Sequence, residues 1–309
     1  MRRSVIVFLV LGACSTAAPA ALPSSTAPPA TAAPTTTTTT PVTTPATPTS
    51  TVATTETESP VYDHLVETEE YLPDLEVEVH APADLGPWPV VVTIHGGSWY
   101  GGTLESMGSL ADGLADQGMV VFNATYRRAA QGGIFPGPVD DVACAIGHAA
   151  ATADRFTTAE GPLVVVGHSA GAHLAALVSM APAGTFGSDC PDPLPRIDGF
   201  VGLAGPYNTD LLAFLLEPWF GVSPADDPER WAAGNPLSYV DVAPDIPYLL
   251  IHGDADQVAP VAFTTELDEA LAAAGRDVVF DLIPDAGHGE VNDPRVVGDL
   301  IAEFVRSAQ

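Results

Sequence analysis

Residues 61–309 alternate between two kinds of hydrophobic pattern. Short, nearly continuous apolar runs are separated by longer stretches whose apolar positions recur at helical spacing. The first kind reads as strands buried on both faces, the second as helices laid against them. The opening run, Leu75-Glu76-Val77-Glu78-Val79-His80, alternates instead like a half-exposed strand. Continuous strands are predicted at 89–94, 119–126, 163–166, 197–204, 247–251 and 277–283. Helices are predicted at 104–117 (stopped by Gly118), at 138–153 (opened by Pro138, with Asp140 and Asp141 in its first turn), and at 172–178. Two more follow at 261–274, closed by Gly275, and at 295–306. Residues 205–245 break the alternation. Strands that alternate with helices imply right-handed crossovers and a mostly parallel central sheet with helices on both faces. About 250 residues are enough for one such α/β domain.

The first sixty residues follow another rule. Met1-Arg2-Arg3 precedes an apolar run at 5–11 that is too short for a bilayer span of about 20 residues. Residues 1–13 therefore read as an export signal. The run ends in Leu11-Gly12-Ala13-Cys14, which resembles the lipobox of bacterial lipoproteins. That resemblance implies a lipid on Cys14, membrane attachment through that residue alone, and a position on the outer face of the bacterial cytoplasmic membrane. Residues 15–60 are Thr, Pro, Ala and Ser almost throughout, with six threonines in a row at 35–40. Low hydrophobicity and frequent proline predict a disordered, polyproline-leaning linker across 14–60. Fully extended at ~3.1 Å per residue it would reach on the order of 140 Å.

Charge narrows the partners. The formal net charge is −29, and all ten basic residues are arginines. Such a chain is a poor match for nucleic acid or for electrostatic docking on anionic lipid. No His pair stands at the spacing of a metal motif, so neither a metal nor a cofactor is expected. A monomer is expected.

The chemistry lies at strand ends. Leu163-Val164-Val165-Val166 runs into Gly167-His168-Ser169-Ala170-Gly171, followed by a helix-forming run. A Gly-x-Ser-x-Gly between a buried strand and a helix is the nucleophile-elbow pattern, with Ser169 at the apex of a sharp turn. A serine hydroxyl needs a base and a group that orients the base. His252-Gly253-Asp254-Ala255-Asp256 and Asp285-Ala286-Gly287-His288 each follow a predicted strand and offer both. In a parallel sheet such ends share one edge.

Together with His95-Gly96-Gly97-Ser98-Trp99, these motifs resemble the α/β-hydrolase fold, in the branch of hormone-sensitive-lipase-like and BD-FAE/kynurenine-formamidase-like carboxylesterases. Tyr126-Arg127, Phe135-Pro136 with Asp141-Val142, and Asn235-Pro236-Leu237 echo the same branch. The resemblance covers nearly all of 62–309. It implies a serine carboxylic-ester hydrolase with Ser169 as nucleophile, His288 as base and Asp256 as acid, Asp254 being the spare. Backbone N–H groups of Gly97, Ser98 and Ala170 would form the oxyanion hole. Ser98 departs from the His-Gly-Gly-Gly form, but that position contributes only backbone. The substrate would be a small-molecule or polymer-borne ester.

Two other activities stay open: amide chemistry, as in a formamidase or peptidase, and non-catalytic binding on a hydrolase scaffold. Prolyl peptidases of the fold usually carry a further Gly at position 172, which is Ala here. Residues 205–245 are expected to form a small cap, with Trp99, Tyr207, Leu211, Phe214 and Trp219 lining a pocket or packing into the core. His168 is expected to pack beside the elbow, and His95 and His252 to hold their loops. Arg127 is expected to pair with Asp140 or Asp141. Cys144 and Cys190, left as a pair once Cys14 is assigned to lipid, are expected to form a disulfide in an oxidising compartment.

Overall fold

The computed structural model describes residues 61–158 and 161–308. The export segment, Cys14 and the whole Thr/Pro-rich segment lie outside the described residues. Among the described residues eight strands form one sheet: β1 (His64–Leu72), β2 (Leu75–Pro82), β3 (Val90–Ile94), β4 (Val120–Ala124), β5 (Leu163–His168), β6 (Gly199–Leu203), β7 (Tyr248–Gly253) and β8 (Val278–Ile283). Their spatial order is β1-β2-β4-β3-β5-β6-β7-β8. The pairs β1/β2 and β2/β4 are antiparallel, and every other pair is parallel. The helices are α1 (Glu105–Ala115), α2 (Gly137–Thr152), α3 (Ala170–Met180), α4 (Ala213–Phe220), α5 (Pro228–Ala233), α6 (Ala262–Ala273) and α7 (Pro294–Ser307).

The continuous apolar strands behave as their pattern requires. Side chains alternate across the sheet, so β5 sends Leu163 and Val165 into one core and Val164 and Val166 into the other. The first core is closed by α2, α3 and α6 through residues such as Val142, Leu174 and Leu267. The second is closed by α1 and α7 through Leu110, Leu114, Ile301 and Val305. Full burial of each such side chain contributes roughly 2 kcal/mol.

Two regions go beyond the sequence reading. Strand β1 lies ahead of the expected opening at Leu75. It is the sheet's edge, pairing only with β2, and it carries Glu67, Glu69 and Glu70. Charges on an edge strand deter further strand pairing and also erase the alternation that would announce a strand. Residues 205–245 hold the short helices α4 and α5. Asp227 caps α5 by accepting from the Arg230 N–H at 3.0 Å, with Pro228 in the first turn. Phe220 and Trp231 stack with ring centroids 4.0 Å apart, so this region is anchored by aromatics.

Cys144 in α2 is disulfide-bonded to Cys190 in the loop after α3, across 46 residues. Closing a loop of that size contributes about 4 kcal/mol in the chain-entropy account. Asp140, beside it, accepts from the Gly187 N–H at 2.8 Å. Asp141, buried, is the partner of Arg127: Arg127 Nη2 donates to its Oδ1 at 2.6 Å and Nε to its Oδ2 at 2.8 Å.

Candidate active site

The turn at Ser169 is built from backbone that only small neighbours permit. Ser169 has φ +54° and ψ −123°. A non-glycine residue there carries strain of order 1–3 kcal/mol. A Cβ on Gly167 would lie 2.5 Å from Ala172 Cα, and one on Gly171 would lie 2.3 Å from the Ile94 carbonyl oxygen. Glycine at both places lets β5, α3 and the end of β3 converge. The Ser169 N–H donates to the Leu203 carbonyl at 2.8 Å, which fixes the turn to β6. Ser169 is half-buried, and its Cβ is only 2.9 Å from where a Cβ on Gly96 would stand. The loop after β3 therefore lies directly against the elbow.

That loop is itself contorted. Gly97, Ser98 and Trp99 have φ of +129°, +54° and +63° in succession. Gly97 and Ser98 are exposed, whereas Trp99 is buried. Trp99 Nε1 donates to His173 Nδ1 at 3.1 Å, and His173 Nε2 donates to the Gly234 carbonyl at 2.9 Å. His173, which sequence reasoning did not single out, thus ties the loop to α3 and to the end of α5. Only its place in Gly-Ala-His-Leu, one turn past the elbow, marked it. His95 Nδ1 donates to the Gly96 carbonyl at 2.7 Å, and its ring stacks on Tyr126 at 4.5 Å. Ala170 is the first residue of α3, so its N–H has no intrahelical acceptor and lies at the positive end of the helix dipole.

The residues expected as acid and base lie just past the ends of β7 and β8. Asp256, its side chain fully buried, accepts three N–H groups. His288 Nδ1 donates to Oδ2 at 2.7 Å, and His252 Nε2 stands 3.1 Å from the same atom. The Val258 and Ala259 N–H groups reach Oδ1 at 2.7 and 3.0 Å. Burial pushes this carboxyl's pKa up, but the bonds from His288, Ala259 and Val258 outweigh it and hold the group below its ordinary value. Asp254 is exposed and does something else: its Oδ1 accepts from the Asp285 N–H at 2.7 Å and joins the two loops. His252 also donates to the Ala259 carbonyl at 2.9 Å and meets Thr264 Oγ1 at 2.7 Å. His168 sits beside the elbow, buried, and its Nε2 donates to the His288 carbonyl at 2.9 Å. Their rings lie 4.8 Å apart, which brings His288 to the turn at Ser169.

The five residues considered for a pocket do not share one surface. Trp99, Tyr207 and Trp219 are buried, with Trp99 and Trp219 rings 6.1 Å apart. Leu211 and Phe214 are 64% and 85% exposed on the outer side of the same segment. The segment divides because Trp219 packs inward against Phe135 and Phe220, while Leu211 and Phe214 face outward.

Three buried histidines set an acid limit on the fold. Burial brings the pKa values of His95, His168 and His173 down to about 4, against an ordinary value near 6.5. As pH falls below about 6.5 the unfolded chain takes up these protons and the folded chain does not. Stability is therefore complete above that pH and declines toward 4, by up to roughly 1.4 kcal/mol per histidine per pH unit. Urea midpoints measured at pH 7, 6 and 5 are expected to fall steadily. A flat series would contradict the neutral, buried assignment.

A family model described as BD-FAE matches residues 77–271, which contain the elbow, the contorted loop and Asp256. The chain is 32% identical over 217 residues to esterase LipC of Mycobacterium tuberculosis, covering 66% of this chain and 53% of that protein. It is 26% identical over 219 residues to kynurenine formamidase of Danio rerio, covering 69% and 70%. The chain spans about half the length of the mycobacterial esterases it matches. Among solved structures, the Thermogutta terrifontis esterase Est2 bound to propionate superposes with a TM-score of 0.65 at 22% identity, covering 78% of this chain and 94% of that one. This last likeness concerns the fold.

Proposed function

The chain belongs to the BD-FAE family, and we propose that it is a serine carboxylic-ester hydrolase. The observation that carries the proposal is the bond from His288 to the buried Asp256, itself held by two backbone N–H groups, beside a serine held at φ +54°. Ser169 attacks the acyl carbonyl while His288 takes its proton, then returns it to the leaving alcohol. Asp256 fixes the proton on Nδ1, so that Nε2 is the free acceptor, and stabilises the imidazolium. N–H groups of Gly97, Ser98 and Ala170 receive the oxyanion, each such donor lowering the barrier by ~3 kcal/mol. Water then repeats the sequence on the acyl-enzyme. His173 is a positioning residue for the contorted loop, acting through Trp99. The exposed Leu211 and Phe214 offer an apolar rim for the acyl or alcohol part of the ester.

The rest of the proposal concerns place. Residues 1–13 direct export, Cys14 carries the lipid, and 14–60 form a spacer that lets the domain at 61–309 work away from the membrane. A disulfide between Cys144 and Cys190 fits an oxidising, extracytoplasmic setting. A second reading, hydrolysis of a small amide, rests on the likeness to a kynurenine formamidase.

Purified protein is expected to hydrolyse p-nitrophenyl acetate and butyrate faster than long-chain esters, and much faster than matched arylamides. Chelation is expected to leave the rate at 25 °C unchanged. Faster cleavage of the amides would favour the second reading, and a rate lost to chelator and restored by a divalent ion would overturn the triad mechanism.

A further inference from the structure

Far from the elbow in sequence, His64 at the start of β1, His80 in β2 and Asp112 in α1 converge. His64 Nε2 and His80 Nδ1 lie 3.0 and 2.8 Å from the same atom, Asp112 Oδ1, and the three atoms lie within 4.8 Å of one another. Behind each ring stands another carboxylate. His64 Nδ1 is 2.7 Å from Asp116 Oδ1, and His80 Nε2 is 3.7 Å from Glu78 Oε2.

The proton inventory of this cluster is unusual. A neutral imidazole has one N–H and one lone pair. If His64 donates Nδ1–H to Asp116, its Nε2 turns a lone pair on the Asp112 carboxylate at 3.0 Å, which is repulsive unless a positive centre stands between them. His80 repeats the theme. It is 4% exposed, and its Nε2 is buried with no hydrogen-bond partner. With Nδ1 turned to Asp112, the hydrogen on Nε2 points toward Glu78. A carboxylate behind each histidine is how metal-ligating imidazoles are oriented and made more basic.

We propose that His64, His80 and Asp112 bind a divalent cation of the zinc class. Two imidazoles and one carboxylate suit such a borderline cation better than calcium or magnesium, which prefer oxygen. At Zn–N and Zn–O distances of about 2.0–2.1 Å a tetrahedral cation holds its ligands about 3.3 Å apart. The two gaps to Asp112 need to open by a few tenths of an ångström, and the gap between the two ring nitrogens, at most 4.8 Å, has to settle near the same value. Three protein ligands leave the fourth position for water. The cation joins the edge hairpin to α1, where the described domain begins, so its effect is on stability and not on the ester chemistry.

The test uses untagged full-length protein, stripped with chelator and equilibrated with zinc chloride; zinc content is assayed after unbound metal is removed, and the thermal midpoint with free zinc present. The expected result is about one zinc per chain, with the midpoint raised by roughly 5 °C or more when free zinc is a hundredfold above Kd. His64→Gln and Asp112→Asn should retain almost none, and their midpoints should ignore zinc. Should those variants fold poorly, Asp116→Asn removes only the carboxylate behind His64 and should weaken zinc affinity by about 10–100-fold. Substoichiometric zinc in the unaltered protein, equal binding in the variants, or binding without a rise in midpoint would overturn the proposal.

Discussion

Ser169→Ala is expected to reduce turnover of p-nitrophenyl acetate by roughly 10⁶-fold, the loss seen when a serine nucleophile is removed from a comparable triad. The substitution keeps the Cβ that already stands 2.9 Å from the Gly96 position, and it removes only the hydroxyl. The strained φ of +54° is carried by backbone anchored through the Leu203 carbonyl, so the variant inherits the turn unchanged. Its thermal midpoint should lie within a few degrees of the parent's. A fluorophosphonate probe should label the parent at Ser169 and leave the variant unmarked, a readout independent of turnover. A variant that hydrolyses within tenfold of the parent rate, or takes up the label elsewhere, would move the nucleophile.

Much of this was legible in the chain, and the parts that were not share a cause. Buried parallel strands announce themselves because both faces must be apolar, as in Val164-Val165-Val166. The elbow is readable because close approach admits only small residues at 167 and 171. The order serine, acid, histidine falls at strand ends because β5, β7 and β8 run parallel and deliver their loops to one edge. Strand β1 escaped because an edge strand needs no continuous apolar face. The split of Trp99, Tyr207 and Trp219 from Leu211 and Phe214 escaped because hydrophobicity does not say which apolar residue a small core admits. His64, His80 and Asp112 stand 16 and 32 residues apart in sequence, and nothing local relates them. Only the pairing of β1 with β2, His64 opposite Pro82 and Val66 opposite His80, and the packing of α1 bring them together. Motif spacing detects sites made by one turn of chain, and this cluster is made by three elements.

The sequence favoured Asp256 over Asp254 as the acid, and the hydrogen bonds of the two carboxylates give that expectation a measurable consequence. Asp256→Asn is expected to lower kcat/KM about 10⁴-fold, while Asp254→Asn should change it by no more than about threefold. The first loss is about 5 kcal/mol in the barrier. Its origin is donor counting. Asp256 offers Oδ2 to the His288 Nδ1–H and Oδ1 to two backbone N–H groups. An amide has one oxygen, so with that oxygen kept on the two backbone donors its NH₂ meets the His288 N–H. The backbone cannot give way, but the imidazole can change tautomer. His288 would then carry its proton on Nε2, the nitrogen that has to accept from Ser169, and general-base catalysis would stop. At Asp254 the same exchange keeps an oxygen facing the Asp285 N–H at the surface, and no imidazole depends on it. Both variants should be compared at neutral pH and at equal folded fraction by circular dichroism. Because His252 loses its carboxylate partner too, Asp256→Asn should also unfold at a lower temperature than Asp254→Asn. Equal losses of activity, or a larger loss at 254, would reassign the acid and with it the role of every donor now converging on Asp256.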